Sequence, residues 1–416
     1  MKRHQVEISA PAGSWASLTA AVQGNADSVY FGAEQFNMRA SSSENFSLSD
    51  LPEIVSFCKS HGIKCYLALN IVIYDDEINK MKKIIDTAAK SGISAIIATD
   101  QSVINYAFSK GLEVHLSTQL NITNTDTLKF YSQWADVAVL ARELSLEQIK
   151  KISDEIKKRK ICGPSGKPFR IEIFAHGALC MAISGKCYLS LHEYNKSANR
   201  GLCNQVCRRS YIVTDKETGF ELEIDNQYIM SAKDLCTIGF LDRIIEAGAE
   251  ILKIEGRARS PEYVRTVTSC YDEALRAIEQ GTYTPENIKK WTERLSTVFN
   301  RGFWDGYYLG RKMGEWTNKY GSSATMKKTY IGKITNYYNK IGVAEIKLEN
   351  GDLSIGDTIL IIGPTTGTLE YRVEEIRDSE HMITEKALKG TFCSIKTDHY
   401  LRRSDKVYKW EERDKE

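Results

Sequence analysis

The sequence predicts an α/β fold: a (β/α)8 TIM-like barrel with a cysteine-rich insertion, followed by a small C-terminal antiparallel β-barrel. Three observations lead there. Over about the first 260 residues, short β-branched runs alternate with amphipathic helical stretches, as repeated βα units around a parallel sheet do. Eight such runs can be counted, which suits a closed barrel better than an open doubly wound sheet. From Tyr330 to Tyr408 the pattern changes to short alternating strands separated by turn signals, among them Glu349-Asn350-Gly351-Asp352 and Gly363-Pro364-Thr365-Thr366-Gly367.

The eight expected strands are Val6–Ser9, Ser28–Phe31, Lys64–Leu69, Ala95–Ala98, Glu113–Leu116, Val137–Leu140, Arg170–Phe174 and Glu250–Ile254. Helical segments separate most of them. Leu51–His61 follows a Ser49-Asp50 cap, Asp76–Lys90 is a second helix, and Ser145–Lys158 a third, whose Ser145 and Glu147 fall short of a strict capping box. Two helices follow Pro261 and end near Asn300. The expected organisation is a barrel over residues 1–300 with its insertion at about 176–236, a connector over 301–329, and a C-terminal domain over 330–410. The hydrophilic tail Glu411–Glu416 is expected to fray.

Composition narrows the function classes. No apolar run approaches the roughly 20 residues that span a bilayer. Met1-Lys2-Arg3-His4 is basic but has no apolar segment behind it. A cytoplasmic location, with no membrane partner, is therefore expected. Lys and Arg total 56 against 54 Asp and Glu, so only local patches can speak for nucleic acid. Ten cysteines in an unexported chain are expected to be reduced. Cys58, Cys65, Cys162, Cys270 and Cys393 are scattered and read as small buried hydrophobes.

In (β/α) barrels the chemistry sits where the strands end. The strand ends here form a polar series: Pro11-Ala12-Gly13, Gly32 to Arg39, Asn70, Asp100-Gln101, Ser117-Thr118-Gln119 with Asn121, Arg142-Glu143, His176-Gly177 and Glu255-Gly256-Arg257. Any one of them reads as a loop or helix cap; eight in series point to a site.

The seventh and eighth strands are joined by a long connection from His176 to about Asp234, and a connection of that length is usually functional. Cys180, Cys187, Cys203 and Cys207 fall within 28 residues of it. Four neighbouring thiolates favour a shared metal. Spacings of seven, sixteen and four match no zinc knuckle well, whereas an iron–sulfur cluster also takes four thiolates and tolerates irregular spacing. Glycines beside Cys187 and Cys203 permit close backbone approach. Zinc and purely structural cysteines stand as the alternatives.

Asn300 to Lys333 is rich in base and aromatics. Arg301, Arg311, Lys312, Lys319, Lys327, Lys328 and Lys333 interleave with Phe303, Trp304, Tyr307, Tyr308, Trp316, Tyr320 and Tyr330. Such a mixture suits phosphate contact with base stacking, or equally an aromatic wrap packed on the barrel.

The run from Glu172 to Ser190 resembles the signature of the U32 peptidase family, the collagenase-like peptidases. The resemblance extends to Ala10–Gly13, Val29–Gly32, Met38-Arg39, Ser117–Gln119, Leu140–Leu144, Leu252–Arg257, Phe299–Phe303 and the C-terminal barrel. Several members of that family resemble oxygen-independent hydroxylases with a four-iron cluster. One group acts on the tRNA wobble uridine with prephenate, another on a ribosomal RNA cytidine, and a third in ubiquinone synthesis. The resemblance implies a 4Fe-4S cluster on Cys180, Cys187, Cys203 and Cys207, with Cys236 as a replacement or neighbour. Length and C-terminal barrel look most like the tRNA-modifying branch.

The family name implies proteolysis, but the sequence has neither a G-x-S-x-G elbow nor H-E-x-x-H. A Cys–His pair is conceivable, since His176 precedes Cys180 and His192 follows Cys187. It competes with the cluster for the same thiolates. The leading expectation is thus an RNA-modifying hydroxylase with tRNA and a small carboxylate, prephenate by resemblance, as partners, and with room for a second subunit of the family. The rivals are a peptidase, and an RNA-binding or assembly module whose cluster is structural. Arg39, Arg142 and Arg257 are the expected substrate-binding residues, since guanidinium forks match carboxylates. His176 and Glu255 are the catalytic candidates. Against those roles, His176 reads as a core histidine and Glu255 as the ion partner of Arg257.

Overall fold

Eight parallel strands alternate with helices, and every expected strand is among them: β1 (Glu7–Pro11), β2 (Ser28–Gly32), β3 (Lys64–Leu69), β4 (Ala95–Ala98), β5 (Glu113–Leu116), β6 (Val137–Val139), β7 (Arg170–Ala178) and β8 (Ile251–Ile254). Each pairs in parallel with the next, and β8 pairs with β7 on one side and β1 on the other, which closes a TIM-like barrel. The computed structural model describes residues 3–41, 44–214, 216–219, 221–222, 230–310, 315–319 and 321–413.

The strands have two faces because side chains alternate along them. Ile8, Val29, Phe31, Leu67, Ile96, Val114, Ile171 and Leu252 are buried in the large core under the helices. The other face fills the barrel and is unusually polar. Glu7 meets Tyr66 and Arg170, and His115 meets Glu113. Lys253 meets Glu172. A charged group inside a barrel must be paired, and these are.

Helices α1 (Trp15–Gln23), α2 (Leu51–Ser60), α3 (Ile78–Ser91), α4 (Gln101–Ser109), α5 (Thr125–Tyr131) and α6 (Leu146–Lys158) follow β1 to β6 in turn. Ser14, Asp100, Asn124 and Ser145 cap α1, α4, α5 and α6 by accepting backbone N–H bonds. The capping box expected to fail at Ser145 in fact closes, through Gln148 rather than Glu147. After β7 the insertion holds α7 (Leu189–Tyr194), and α8 (Leu241–Glu246) precedes β8. Beyond it, α9 (Pro261–Gln280) and α10 (Pro285–Thr297) pack together, with Tyr263, Tyr271 and Trp291 buried.

The connector is a wrap on the barrel. Phe303–Trp304 pairs in parallel with the short strand Asp234–Cys236, itself antiparallel to the end of β7. Trp304 and Tyr308 are buried, and the Tyr308 hydroxyl donates to the Phe174 carbonyl at 2.7 Å. Among its bases, Lys328 pairs with Glu262 at 2.8 Å and Lys333 with Glu349 at 2.9 Å. Arg311, Lys312 and Tyr320 lie outside the described residues.

The C-terminal part is an antiparallel sheet of β9 (Met326–Tyr338), β10 (Val343–Leu348), β11 (Thr358–Gly363), β12 (Gly367–Arg372), β13 (Phe392–Lys396) and β14 (Lys406–Glu412), in the order β12-β11-β14-β9-β10-β13. It has its own core, with Ile334, Ile346, Ile361 and Val407 buried. Edge strands β12 and β13 share no ladder, but the Tyr371 hydroxyl of one donates to the Lys396 carbonyl at the end of the other. The turn between β11 and β12 docks on α1, where Thr19 and Gln23 donate to the Pro364 and Thr366 carbonyls.

Candidate active site at the barrel mouth

Two cavities meet over the C-terminal ends of the strands. The inner one, about 60 Å³, is lined by Tyr30, Asn70, Ser117, Thr118, Gln119, Phe174, Lys253 and Arg257, together with Arg39, Arg142 and Glu255. The outer one, about 280 Å³, shares Met38, Arg39, Arg142, Ser184 and Glu255 with it and is lined by Cys180, Cys187, Cys203 and Cys207. Of the strand-end residues, Asp100 serves instead as a cap, accepting N–H bonds from Ser102 and Ile73.

Glu255 is the electrostatic centre. One of its oxygens accepts from Arg39 Nη2 at 2.5 Å and Nε at 3.1 Å. Burial alone would raise its pKa, but Arg39, Arg142 and Arg257 outweigh it and hold the carboxyl at about 2. The partner expected for it was Arg257; the structure gives it Arg39, while Arg257 donates to Asn37 Oδ1 at 2.8 Å. Burial brings Arg257 down to about 10. Arg142 stacks its guanidinium 3.7 Å over the Phe174 ring and donates to the Ala178 carbonyl, and its buried Nε has no partner among the described residues. A cavity with three arginines and one permanently ionised carboxylate favours a small anion.

His176 lines neither cavity. Counted along β7 from Glu172 and Phe174, it falls on the inner face. A bulge at Ala175 shifts the register, so that Lys253 faces Phe174 but Ile254 faces His176. The imidazole therefore sits in the core among Tyr263, Tyr271 and Phe303. Burial, helped by Arg259, lowers its pKa to about 3, so it is neutral at physiological pH. Cys236 faces His176 where Asp234–Cys236 pairs with the end of β7, and it does not line the cysteine cavity; burial raises its thiol to about 11.

Among the inner-cavity residues that the sequence reading did not single out for the site are Lys253 and Tyr30. Lys253 Nζ lies 2.8 Å from Glu172 Oε1 and 4.3 Å over the Tyr30 ring, and the Tyr30 hydroxyl donates to the Ile254 carbonyl. The available signal was a lysine inside the apolar strand Ile251-Leu-Lys-Ile254.

The insertion is held over the mouth by close backbone packing. Gly201 has φ +76°, and a Cβ there would stand 2.2 Å from the Asn37 carbonyl oxygen. Arg200 pairs with Glu77 and donates to the Val72 carbonyl. Cys203 Sγ accepts the Gln205 N–H at 3.4 Å. Burial raises the Cys207 thiol to about 11, against a smaller opposing effect of Arg208. Four cysteine sulfurs thus face one cavity, and they bind metal as thiolates. Four cysteine sulfurs are the donor set that an iron–sulfur cluster takes.

Among the described residues no helix is long and apolar enough to cross a membrane. The chain is 56% identical over 414 residues, all of both chains, to a protein named collagenase from Porphyromonas gingivalis. It is 32% identical to tRNA hydroxylation protein P1 of Bacillus subtilis, over 90% of this chain and 87% of that one. A 23S rRNA 5-hydroxycytidine synthase of Escherichia coli is 30% identical, over 96% of this chain and 59% of its own length. The model of peptidase family U32 matches residues 13–318, which include the ends of β2 to β8 and the four clustered cysteines, and the chain belongs to that family.

Proposed function

We propose that the protein is an iron–sulfur enzyme that hydroxylates RNA, with the wobble uridine of tRNA as target and prephenate as hydroxyl donor. The observation that carries this reading is the continuity of the two cavities: the four cysteines line one, the arginine-rich strand ends line the other, and Arg39, Arg142 and Glu255 belong to both. Relatives named for tRNA and rRNA hydroxylation support the substrate class.

In this reading Cys180, Cys187, Cys203 and Cys207 hold the 4Fe-4S cluster, which supplies one-electron chemistry that peptide hydrolysis does not need. Arg39, Arg142 and Arg257 bind the donor's carboxylates through charged hydrogen bonds. Glu255, ionised at all physiological pH values, fixes Arg39 and is suited to orientation rather than to proton donation. The target base leaves its stack to enter the outer cavity.

The relative named collagenase favours a second reading, a peptidase on protein substrates. Mass spectrometry of tRNA nucleosides separates the two. A deletion strain is expected to lose hydroxylated wobble uridine and to regain it with the wild-type gene, but not with a cysteine-ligand variant. Peptide cleavage by cluster-free protein, blocked by thiol alkylation, with unchanged nucleosides in the deletion strain, would establish the peptidase instead.

A further inference from the structure

Beyond Arg39 and Arg142, the outer cavity is lined by Arg208, Arg259 and Arg301, so that five arginines face it against the single carboxylate of Glu255. Arg208 serves as a structural tie: its guanidinium donates to Ser231 Oγ and to the Ala232 and Leu179 carbonyls. Arg259 and Arg301 are held differently. Both lie over the Phe299 ring, at 3.7 and 5.1 Å. Stacking fixes a guanidinium by its face and leaves its N–H edge available.

Their nearest acid is Asp234, 1% exposed, whose Oδ2 is 3.7 Å from Arg259 and Oδ1 3.6 Å from Arg301. Both distances exceed a hydrogen bond, and neither Asp234 oxygen has a hydrogen-bond partner among the described residues. Asp234 thus offsets part of the charge without occupying the forks. Among the described residues, the two guanidinium groups, 14% and 11% exposed, keep N–H donors unspent at the edge of an open cavity. Burial and the neighbouring Arg208 bring Arg301 down to about 10, so an anion arriving there relieves crowded positive charge.

We propose that Arg259 and Arg301 form a phosphate-binding site distinct from the carboxylate site of the inner cavity. Two forks on one tetrahedral oxyanion use its several acceptor oxygens, which a lone carboxylate does not supply. This inference rests on the RNA reading in one respect: the phosphate is then a phosphodiester beside the nucleotide whose base enters the outer cavity, and the contact sets that nucleotide's position.

The test uses the full chain purified without oxygen and three probes: inorganic phosphate, 5′-uridine monophosphate against uridine, and tRNA. The triple variant Arg259→Gln, Arg301→Gln, Asp234→Asn removes the forks without stranding the buried acid. The milder Arg259→Lys, Arg301→Lys variant keeps the charge and loses the forks, and stands in if the triple variant fails to fold. Wild type is expected to bind the nucleotide at least tenfold more tightly than the nucleoside, and both variants to lose most of that preference. For tRNA, the triple variant is expected to lose about one unit of salt slope per phosphate contact removed. Arginine-dependent phosphate binding without any tRNA binding would keep the site and remove the RNA reading. Nucleotide preference, tRNA affinity and salt slope all unchanged in the variants would overturn the site and leave the RNA reading standing.

Discussion

Alanine at Cys180, Cys187, Cys203 or Cys207 is expected to abolish bound iron and sulfide, whereas alanine at Cys236, Cys58 or Cys393 leaves both in place. Wild-type protein purified without oxygen is expected to be brown, with about four iron and four sulfide per chain. The contrast follows from position. The first four thiols line one cavity, while Cys58 and Cys393 are buried in the barrel and C-terminal cores. Cys236 is the discriminating control: it is near in sequence to the insertion but sits behind β7, opposite His176. Iron and sulfide assays with the visible spectrum decide it. One equivalent of zinc without sulfide would remove the cluster from the proposal, and loss of iron in Cys236→Ala would mean that the insertion rearranges to recruit it.

What the sequence revealed and what it concealed have the same physical origin. Strands were legible because their outer faces must be apolar to meet helices: Val29 and Phe31 in β2, or Val114 and Leu116 in β5, leave little choice of period. The cysteine grouping was legible because all four residues sit on one continuous insertion. Two features depended on partners distant in the chain. The bulge in β7 exists only in its register with β8, and it turns His176 from a site candidate into a core residue. The connector's destination depends on Asp234–Cys236 offering an edge for Phe303–Trp304, which composition does not encode. Arg39 and Arg257 were rightly drawn to the mouth as strand-end residues. Their division of labour between Glu255 and Asn37 needed side-chain distances.

Replacing Glu255 by Gln is expected to cost about 3–5 kcal/mol, the usual range for breaking a buried ion pair from one side. Arg39, Arg142 and Arg257 would then share a buried cavity with no carboxylate among its lining residues. The pH dependence gives the sharper signature. The carboxyl has a folded-state pKa of about 2 against an ordinary 4.5, with a side chain 12% exposed. Between those values the unfolded chain binds more protons than the folded one, so stability rises with pH across that window. The contribution is complete above about pH 4.5 and is lost as pH falls towards 2; its size is on the order of 3 kcal/mol. Urea denaturation of wild type and Glu255→Gln at matched cluster content, from pH 7 down to 3, measures it. The two proteins should differ most at neutral pH and converge on acidification, because acid protonates the wild-type carboxyl into a near-isostere of the amide. A gap constant with pH would assign the loss to packing rather than charge. Arg39→Lys is the complementary change: it keeps the charge beside Glu255 but loses the paired Nε and Nη2 donors, so it should retain most of the acid dependence while weakening the grip on a carboxylate donor.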